Sequence, residues 1–78
     1  MKLTYDSRYN IAYLKLMEKS AEVETIKISD QLNIDMAPNG KIFGIELLNA
    51  NEQLLGDDGM LDVVNEAQGD HKQIALSR

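Results

Sequence analysis

A five-residue turn constrains this chain more than any other feature of its sequence. In the segment "APNGK", Pro38 fixes φ for the first central position of a turn, Asn39 suits the next position, and Gly40 accepts the positive φ of a bulged hairpin. Apolar and polar residues alternate on both sides of this turn, which is the period of a β-strand. The sequence therefore predicts a β-hairpin that joins residues 32–36 to residues 41–48.

The same alternation with period two runs through the first two thirds of the chain. Segments 2–6 and 11–17 flank the polar stretch "SRYN" and predict a first hairpin, and segment 23–29 predicts a further strand. We expect about five strands, which pair in sequence order as an antiparallel meander.

One face of this meander is expected to form the core, while the opposite face is expected to be partly apolar. Glu46 lies on this second face, because its neighbours in sequence, Ile45 and Leu47, point to the core. We expect the C-terminal segments or a second subunit to cover part of the second face. The candidate interaction residues on it are Tyr13, Ile42, Glu46 and Leu48.

The hydrophobic period changes after the predicted strands. Asn49 and Glu52 have the spacing of a capping box, and Gly56 follows as a helix stop, which predicts a short helix. In "DDGMLDVVNEAQGD" apolar residues recur at i, i+3, i+4 and i+7, with Asp57 or Asp58 as a cap. This pattern predicts a second helix.

The predicted fold class is α+β, an antiparallel β-meander of about five strands followed by one or two short C-terminal helices. We expect a single domain over residues 1–78, with a β-meander at 1–48, a helical segment at 49–69 and a tail at 70–78. A domain of this length has a thin core. Because the chain has no cysteine, disulfides cannot supplement that core, and we expect a homodimer.

Charge and hydropathy limit the classes of partner. A net charge of −5 disfavours nucleic acid as a direct ligand, since phosphate contacts need clustered Lys or Arg, and it would attract a basic protein. The N-terminus lacks the apolar stretch of a signal peptide, and no apolar run has the length of a membrane span. We expect a cytoplasmic protein with no membrane contact.

The sequence contains no constellation that requires a particular chemistry, and we predict no catalytic residue, metal ligand or cofactor. The carboxylates of Asp35 and Glu46 point to the same sheet face, but a flat face offers no pocket to separate their pKa values. A solvated pair with Lys15 or Lys27 as a neighbour is favoured over an acid/base pair. The single histidine, His71, has no sequence neighbour suited to catalysis and is expected to be exposed.

Two blocks, "YDSRYNIAYLKL" and "IDMAPNGKIFGIELLNA", share a recognisable pattern of tyrosine, acidic and glycine positions. The residues that carry it are Tyr5, Asp6, Tyr13, Leu14, Leu16, Asp35, Gly40, Gly44, Ile45, Glu46 and Leu48. In these residues the chain resembles a small bacterial and archaeal family known as domain of unknown function 2283. Asn10, Pro38 and Asn39 depart from the family pattern, and the last 28 residues lie outside it.

The resemblance implies a small antiparallel meander with a following helix, and no established activity or cofactor. Members of the family are also similar to antitoxins that are encoded beside small toxin-like proteins. We therefore expect a protein-interaction module, acting as a homodimer and as a neutralising partner. The alternative is a small-ligand-binding protein or a hydrolytic enzyme that uses Asp35 and Glu46.

Overall fold

The computed structural model describes residues 1–20, 22–56 and 58–76. The strands are β1 (Lys2–Asp6), β2 (Ile11–Lys15), β3 (Glu24–Ser29), β4 (Leu32–Met36), β5 (Ile42–Leu48), β6 (Met60–Asn65) and β7 (Asp70–Ala75), and the helix is α1 (Ala50–Leu55). In the described part of the chain, no helix has both the length and the apolar character needed to cross a membrane. The fold is therefore mostly antiparallel sheet with one short helix.

Strands β1–β5 form one antiparallel sheet, and their spatial order is β1-β2-β5-β4-β3. The five strands and the predicted hairpins are confirmed, but the expected pairing in sequence order is wrong, because β5 lies between β2 and β4. The connection between β2 and β3 must span three strand spacings of about 4.8 Å, which residues 16–23 can do. This long crossover leaves β2 free to pair with β5.

The turn between β4 and β5 has the predicted geometry. Gly40 has a φ of 91°, and its N–H donates to the carbonyl of Ala37 at 2.9 Å. Asn39 accepts a hydrogen bond from the N–H of Lys41 through its side chain at 3.1 Å. The predicted bulged hairpin is therefore confirmed. A further register shift between Asp35 and Met36 aligns Ile34 with Ile45.

The five-stranded sheet has two chemically distinct faces. The apolar face carries one row of Leu3, Leu14, Ile45, Ile34 and Ile26, and beside it Tyr5, Ala12, Leu47 and Leu32. The polar face carries one row of Thr4, Tyr13, Glu46, Asn33 and Lys27, and beside it Lys2, Lys15, Gly44, Asp35 and Thr25. The sequence prediction that Glu46 lies opposite the core side chains is confirmed.

Helix α1 begins by a different mechanism from the predicted capping box. Asn49, at the N-cap, has a φ of 56° and makes no side-chain capping hydrogen bond. The side chain of Asn10, from the turn between β1 and β2, accepts a hydrogen bond from the N–H of Asn51 at 2.8 Å. The Asn10 amide also donates to the side-chain oxygens of Asn49 and Asn51, at 3.1 and 2.7 Å. A residue 39 positions away in sequence therefore caps the helix.

The predicted second helix is wrong. Residues 60–65 form β6, and the predicted tail forms β7, so that the two strands make a separate antiparallel hairpin. The suggested cap Asp58 accepts a hydrogen bond from the N–H of Met60, whereas Asp57 lies outside the described residues. Gly69, predicted as a helix stop, has a φ of 77° and closes the turn of this hairpin through its N–H to Asn65. Adjacent β-branched residues favour the strand over the helix in this segment.

Candidate functional site

The carboxylate of Asp35 is the centre of a hydrogen-bonded cluster on the polar face. Asp35 is 8% exposed. Its Oδ1 accepts a hydrogen bond from the hydroxyl of Thr25 at 2.6 Å, and its Oδ2 accepts one from the hydroxyl of Tyr13 at 2.9 Å. Lys19 Nζ lies 3.1 Å from the same Oδ2. Both carboxylate oxygens therefore already have partners within the chain.

The geometry of this cluster depends on the glycine of β5. Gly44 is aligned with Asp35 on one side and with Lys15 on the other. The ring of Tyr13 lies directly over Gly44. A Cβ atom at this position would overlap the tyrosine ring and hydroxyl. The absence of a side chain at Gly44 thus lets Tyr13 reach from β2 to β4 over the intervening strand.

Lys19 brings the crossover between β2 and β3 into the cluster. Besides the ion pair with Asp35, its ammonium lies 4.9 Å from the centroid of the Tyr13 ring, which is a cation–π distance. The crossover is therefore attached at the polar face. Asp35 links β2, β3 and the crossover to its own strand β4.

The charge states in the cluster follow from these contacts. The hydrogen bond from Thr25 keeps the pKa of Asp35 below its ordinary value, against the opposing effect of burial, and Tyr13 and Lys19 lower it further. Burial raises the pKa of the Tyr13 hydroxyl, and its hydrogen bond to Asp35 adds to this effect. The hydrogen bond to Asp35 also raises the pKa of Lys19. At neutral pH the cluster holds one carboxylate, one ammonium and a neutral phenol.

The lysines suggested by the sequence do not contact Asp35. Both lysines lie on the polar face with Asp35 and Glu46, as predicted, but Lys15 pairs with Glu18 at 2.7 Å and Lys27 pairs with Asp30 at 3.1 Å. Lys19 and Thr25 were missed. Thr25 could have been found from the alternation of β3, but Lys19 lies in the crossover, where no periodic signal indicates its position.

Glu46 lies beside this cluster and has its own partner. It is directly opposite Tyr13 on β2 and Asn33 on β4, and its Oε1 accepts a hydrogen bond from the Asn33 amide at 2.8 Å. Leu48 follows on the same face of β5, and Ile42 lies at the opposite end of β5, where the register shifts. The candidate interaction residues Tyr13, Ile42, Glu46 and Leu48 are all half-buried.

The alternative function, a hydrolase or small-ligand-binding protein, would require a pocket near Asp35, Glu46 or His71. A shallow, open depression of about 620 Å³ is lined by Thr4–Arg8, Ile11 and Tyr13, and one of about 440 Å³ by Met1, Lys2 and Lys15–Glu18. Asp35, Glu46 and His71 line neither depression. His71 lies on β7, where its Nε2 is 3.6 Å from Asp62 on the neighbouring strand. In the described residues, no group of three or more His, Cys, Asp or Glu side chains is arranged to hold a metal ion.

The sheet that holds these residues matches a known family. A family model described as "Protein of unknown function (DUF2283)" matches residues 2–51, which is well over half of the chain. The chain belongs to the DUF2283 family. The match covers β1–β5 and the start of α1, and the β6–β7 hairpin lies beyond it. Comparisons with curated proteins and with solved structures gave no significant match.

The residues of the family resemblance have clear structural roles in this member of DUF2283. Tyr13 reaches Asp35 across Gly44, so these three residues form one contact over three strands. Gly40 supplies the positive φ of the β4–β5 turn. Glu46 also belongs to the family pattern. Among the described hydrogen bonds, its side chain makes one, with Asn33.

Proposed function

We propose that this protein is a non-catalytic, cytoplasmic protein-interaction module that forms a homodimer through its apolar face and binds a basic protein partner. The observation that carries the proposal is the incomplete covering of the apolar face. The central Ile45 remains half-buried although strands lie on both sides of it, and so do Leu14 and Ile34 beside it. Among the described side chains, the buried apolar set is Ala12, Ala37, Phe43 and Ala50. A set of three alanines and one phenylalanine is a small core for a stable domain.

The size and shape of the single chain also support self-association. Its accessible surface is 5793 Å², about 1,000 Å² more than expected for a compact monomer of 8.8 kDa. Its radius of gyration is 14.1 Å, compared with about 11.5 Å for a compact domain of this length. The extents of 36 × 34 × 19 Å describe a flat plate, whereas stable domains have at least two packed layers. A second copy would supply the missing layer.

The choice of face differs from the sequence-based expectation. That expectation assigned the subunit contact to the polar face, with Tyr13 and Glu46 among its residues. The Asp35 cluster and the Lys19 crossover already use part of the polar face, whereas no ion pair or side-chain hydrogen bond described here lies on the apolar rows. We assign self-association to the apolar face. We propose that Tyr13, Ile42, Glu46 and Leu48 contact a different partner.

We propose a basic protein as that partner. The net charge of −5 supports this choice, because it attracts a basic protein over distances of about a Debye length. The similarity of family members to antitoxins extends the proposal to a neutralising role, in which the partner is a small toxin encoded beside this protein. Glu46 is the half-buried carboxylate of the candidate interaction residues.

The alternative, a hydrolase that uses Asp35 and Glu46, receives less support. A general acid needs a raised pKa, whereas the contacts of Asp35 lower its pKa. Its two oxygens also accept hydrogen bonds from Thr25 and Tyr13 of the same chain. The cluster fits a role in holding the sheet and the crossover together.

Light scattering and co-expression test the two parts of the proposal. The purified protein should have twice the mass of one chain at micromolar concentration, and a monomer at high concentration would refute the homodimer. Co-expression with the product of the adjacent gene should give a complex that survives purification. Failure of the two proteins to co-purify would refute the neutralising role and leave the homodimer standing.

A further inference from the structure

Within the described residues, the β6–β7 hairpin does not pack extensively against any other element. Apart from Met60, every residue of its two strands is exposed, and the hairpin makes no extensive contact with the five-stranded sheet in the described residues. Val63 and Val64 are 51% and 54% exposed. An isolated two-stranded hairpin is marginally stable in water, and its stability requires packing against another element. The hairpin therefore needs a packing surface, which the part of the chain described by the structure does not provide.

The two faces of this hairpin differ in chemistry. On one face, which we call the arm face, Leu61 is paired with Ile74 and Val63 lies next to them, opposite Lys72. The other face carries Asp62 and His71, whose side chains lie 3.6 Å apart, together with Met60, Val64 and Ala75. The arm face carries three branched aliphatic side chains, Leu61, Val63 and Ile74, whereas Val64 is the branched aliphatic side chain of the other face. Leu61 is 39% exposed and Ile74 is 41% exposed.

We infer that the arm face of one copy packs on the apolar face of a second copy, so that two chains exchange their hairpins reciprocally. This inference rests on the proposed homodimer and specifies its contact. Each chain carries one incompletely covered apolar sheet face and one apolar hairpin face. In a two-fold arrangement the hairpin of each chain covers the sheet of the other, so that both sheets and both hairpins are covered. The hairpin follows helix α1, which ends at Leu55, and it begins at Met60.

Charge and area favour a second copy as the occupant. The two rows of the apolar face named above contain no charged residue, and Glu24 lies at their edge, opposite Met36. The charged residues of the arm face, Lys72 and Asp70, lie toward the hairpin turn. A chain with a net charge of −5 can therefore self-associate at these surfaces without opposing like charges in the contact. The excess surface of about 1,000 Å² per chain is similar to the roughly 800 Å² that each partner buries in a standard stable interface.

A matched pair of substitutions tests which hairpin face binds. Val63→Lys and Val64→Lys change neighbouring valines of similar exposure that point to opposite faces of β6. Val63→Lys should weaken dimerisation at least tenfold, since it would place a charge in an apolar contact, and Val64→Lys should leave it unchanged. Circular dichroism of both variants establishes that the sheet is retained. Equal effects of the two substitutions would overturn the inference.

Cross-linking of single-cysteine variants distinguishes hairpin exchange from other dimers, because the natural chain has no cysteine. Val63→Cys and Ile45→Cys chains are unfolded together, refolded and treated with a short bismaleimide. Hairpin exchange predicts cross-links between unlike chains, and little cross-linking in either variant alone. Cross-links in Ile45→Cys alone would indicate two sheets packed face to face, which overturns the exchange and preserves the homodimer. A monomeric protein without cross-links would refute both proposals.

Discussion

The hydroxyl of Tyr13 on β2 donates a 2.9 Å hydrogen bond to Oδ2 of Asp35 on β4, across the intervening strand β5. This contact joins strands that are not neighbours in the sheet. It also fixes the position of Lys19, whose ammonium contacts both the carboxylate and the tyrosine ring. The polar face is therefore held by a few directional contacts. On the apolar face, Ala12 is buried, whereas Leu14, Ile34 and Ile45 remain half-buried.

Gly44→Ala should destabilise the fold because the added methyl group would occupy the position of the Tyr13 ring. We expect a loss of about 1–3 kcal/mol in the free energy of unfolding, measured by urea denaturation. In a Tyr13→Ala background the same substitution should cost nothing or be stabilising, because glycine is unfavourable in a strand. An equal loss of stability in both backgrounds would show that the Tyr13 ring is not the reason why position 44 requires glycine.

Asp35→Asn should reduce stability by about 1–3 kcal/mol at neutral pH, since Lys19 would lose its counter-charge and the network would be only partly satisfied. The folded-state pKa of Asp35 is below its ordinary value of 3.8. The contribution of the carboxylate is thus complete above the unfolded-state pKa and is lost as the pH falls through the lower folded-state pKa. The difference between natural protein and variant should be constant above about pH 5 and should shrink below about pH 4.

Thr25→Val provides the control for this pH dependence. The hydroxyl of Thr25 makes the largest contribution to the lowered pKa of Asp35. Its removal should raise that pKa, as measured by NMR titration of the carboxyl group, while Lys19 and Tyr13 keep their contacts. An unchanged titration of Asp35 would contradict the assigned cause.

Asn10→Gly and Asn49→Gly form a matched pair at the start of α1. Both residues have a positive φ, 57° and 56°, so glycine relieves the backbone equally at the two positions. Asn10→Gly also removes the acceptor for the N–H of Asn51, whereas Asn49→Gly removes one side-chain hydrogen bond. Asn10→Gly should be about 1 kcal/mol less stable than Asn49→Gly, with faster amide exchange at Asn51. Equal stabilities would mean that Asn10 is not the helix cap.

Glu46→Ala should weaken binding of the adjacent gene product without changing the mass of the homodimer. Glu46 lies on the polar face with Asn33 as its hydrogen-bond partner, away from the apolar rows. Glu52→Ala, which removes an exposed carboxylate from α1, serves as the control for net charge. Calorimetric titration measures both variants, and equal affinities would remove Glu46 from the proposed binding surface.

The period of the sequence was sufficient to predict the local structure of β1–β5 and the turn at Gly40. It could not predict the strand order, because no local signal states that β2 pairs with a strand some 30 residues later. It also misassigned β6, since Met60, Val63 and Val64 satisfy both helical and strand spacing over so short a segment. The β-branched pair and Gly69 favour a hairpin, and only the pairing of Leu61 with Ile74 resolves the choice.

The candidate site could be predicted from the sequence only in part, because strand alternation is a local signal and strand order is not. Alternation placed Tyr13, Asp35 and Glu46 on one face, which is a local property of each strand. The contact between Tyr13 and Asp35 depends on the strand order and on the glycine between them, and these are properties of the folded sheet. Lys19 reaches the cluster through the crossover, so its role required the three-dimensional structure.

The central claim is that the apolar face is covered by a second copy in solution. Sedimentation equilibrium of Ile34→Lys and Asn33→Lys tests it most directly, because these neighbours on β4 place the same charge on the apolar and the polar face. The claim predicts that the natural protein and Asn33→Lys sediment with twice the 8.8 kDa mass of one chain, and that Ile34→Lys sediments as a folded monomer. A natural protein that is monomeric at high concentration, or an Ile34→Lys variant that dimerises as well as Asn33→Lys, would contradict it.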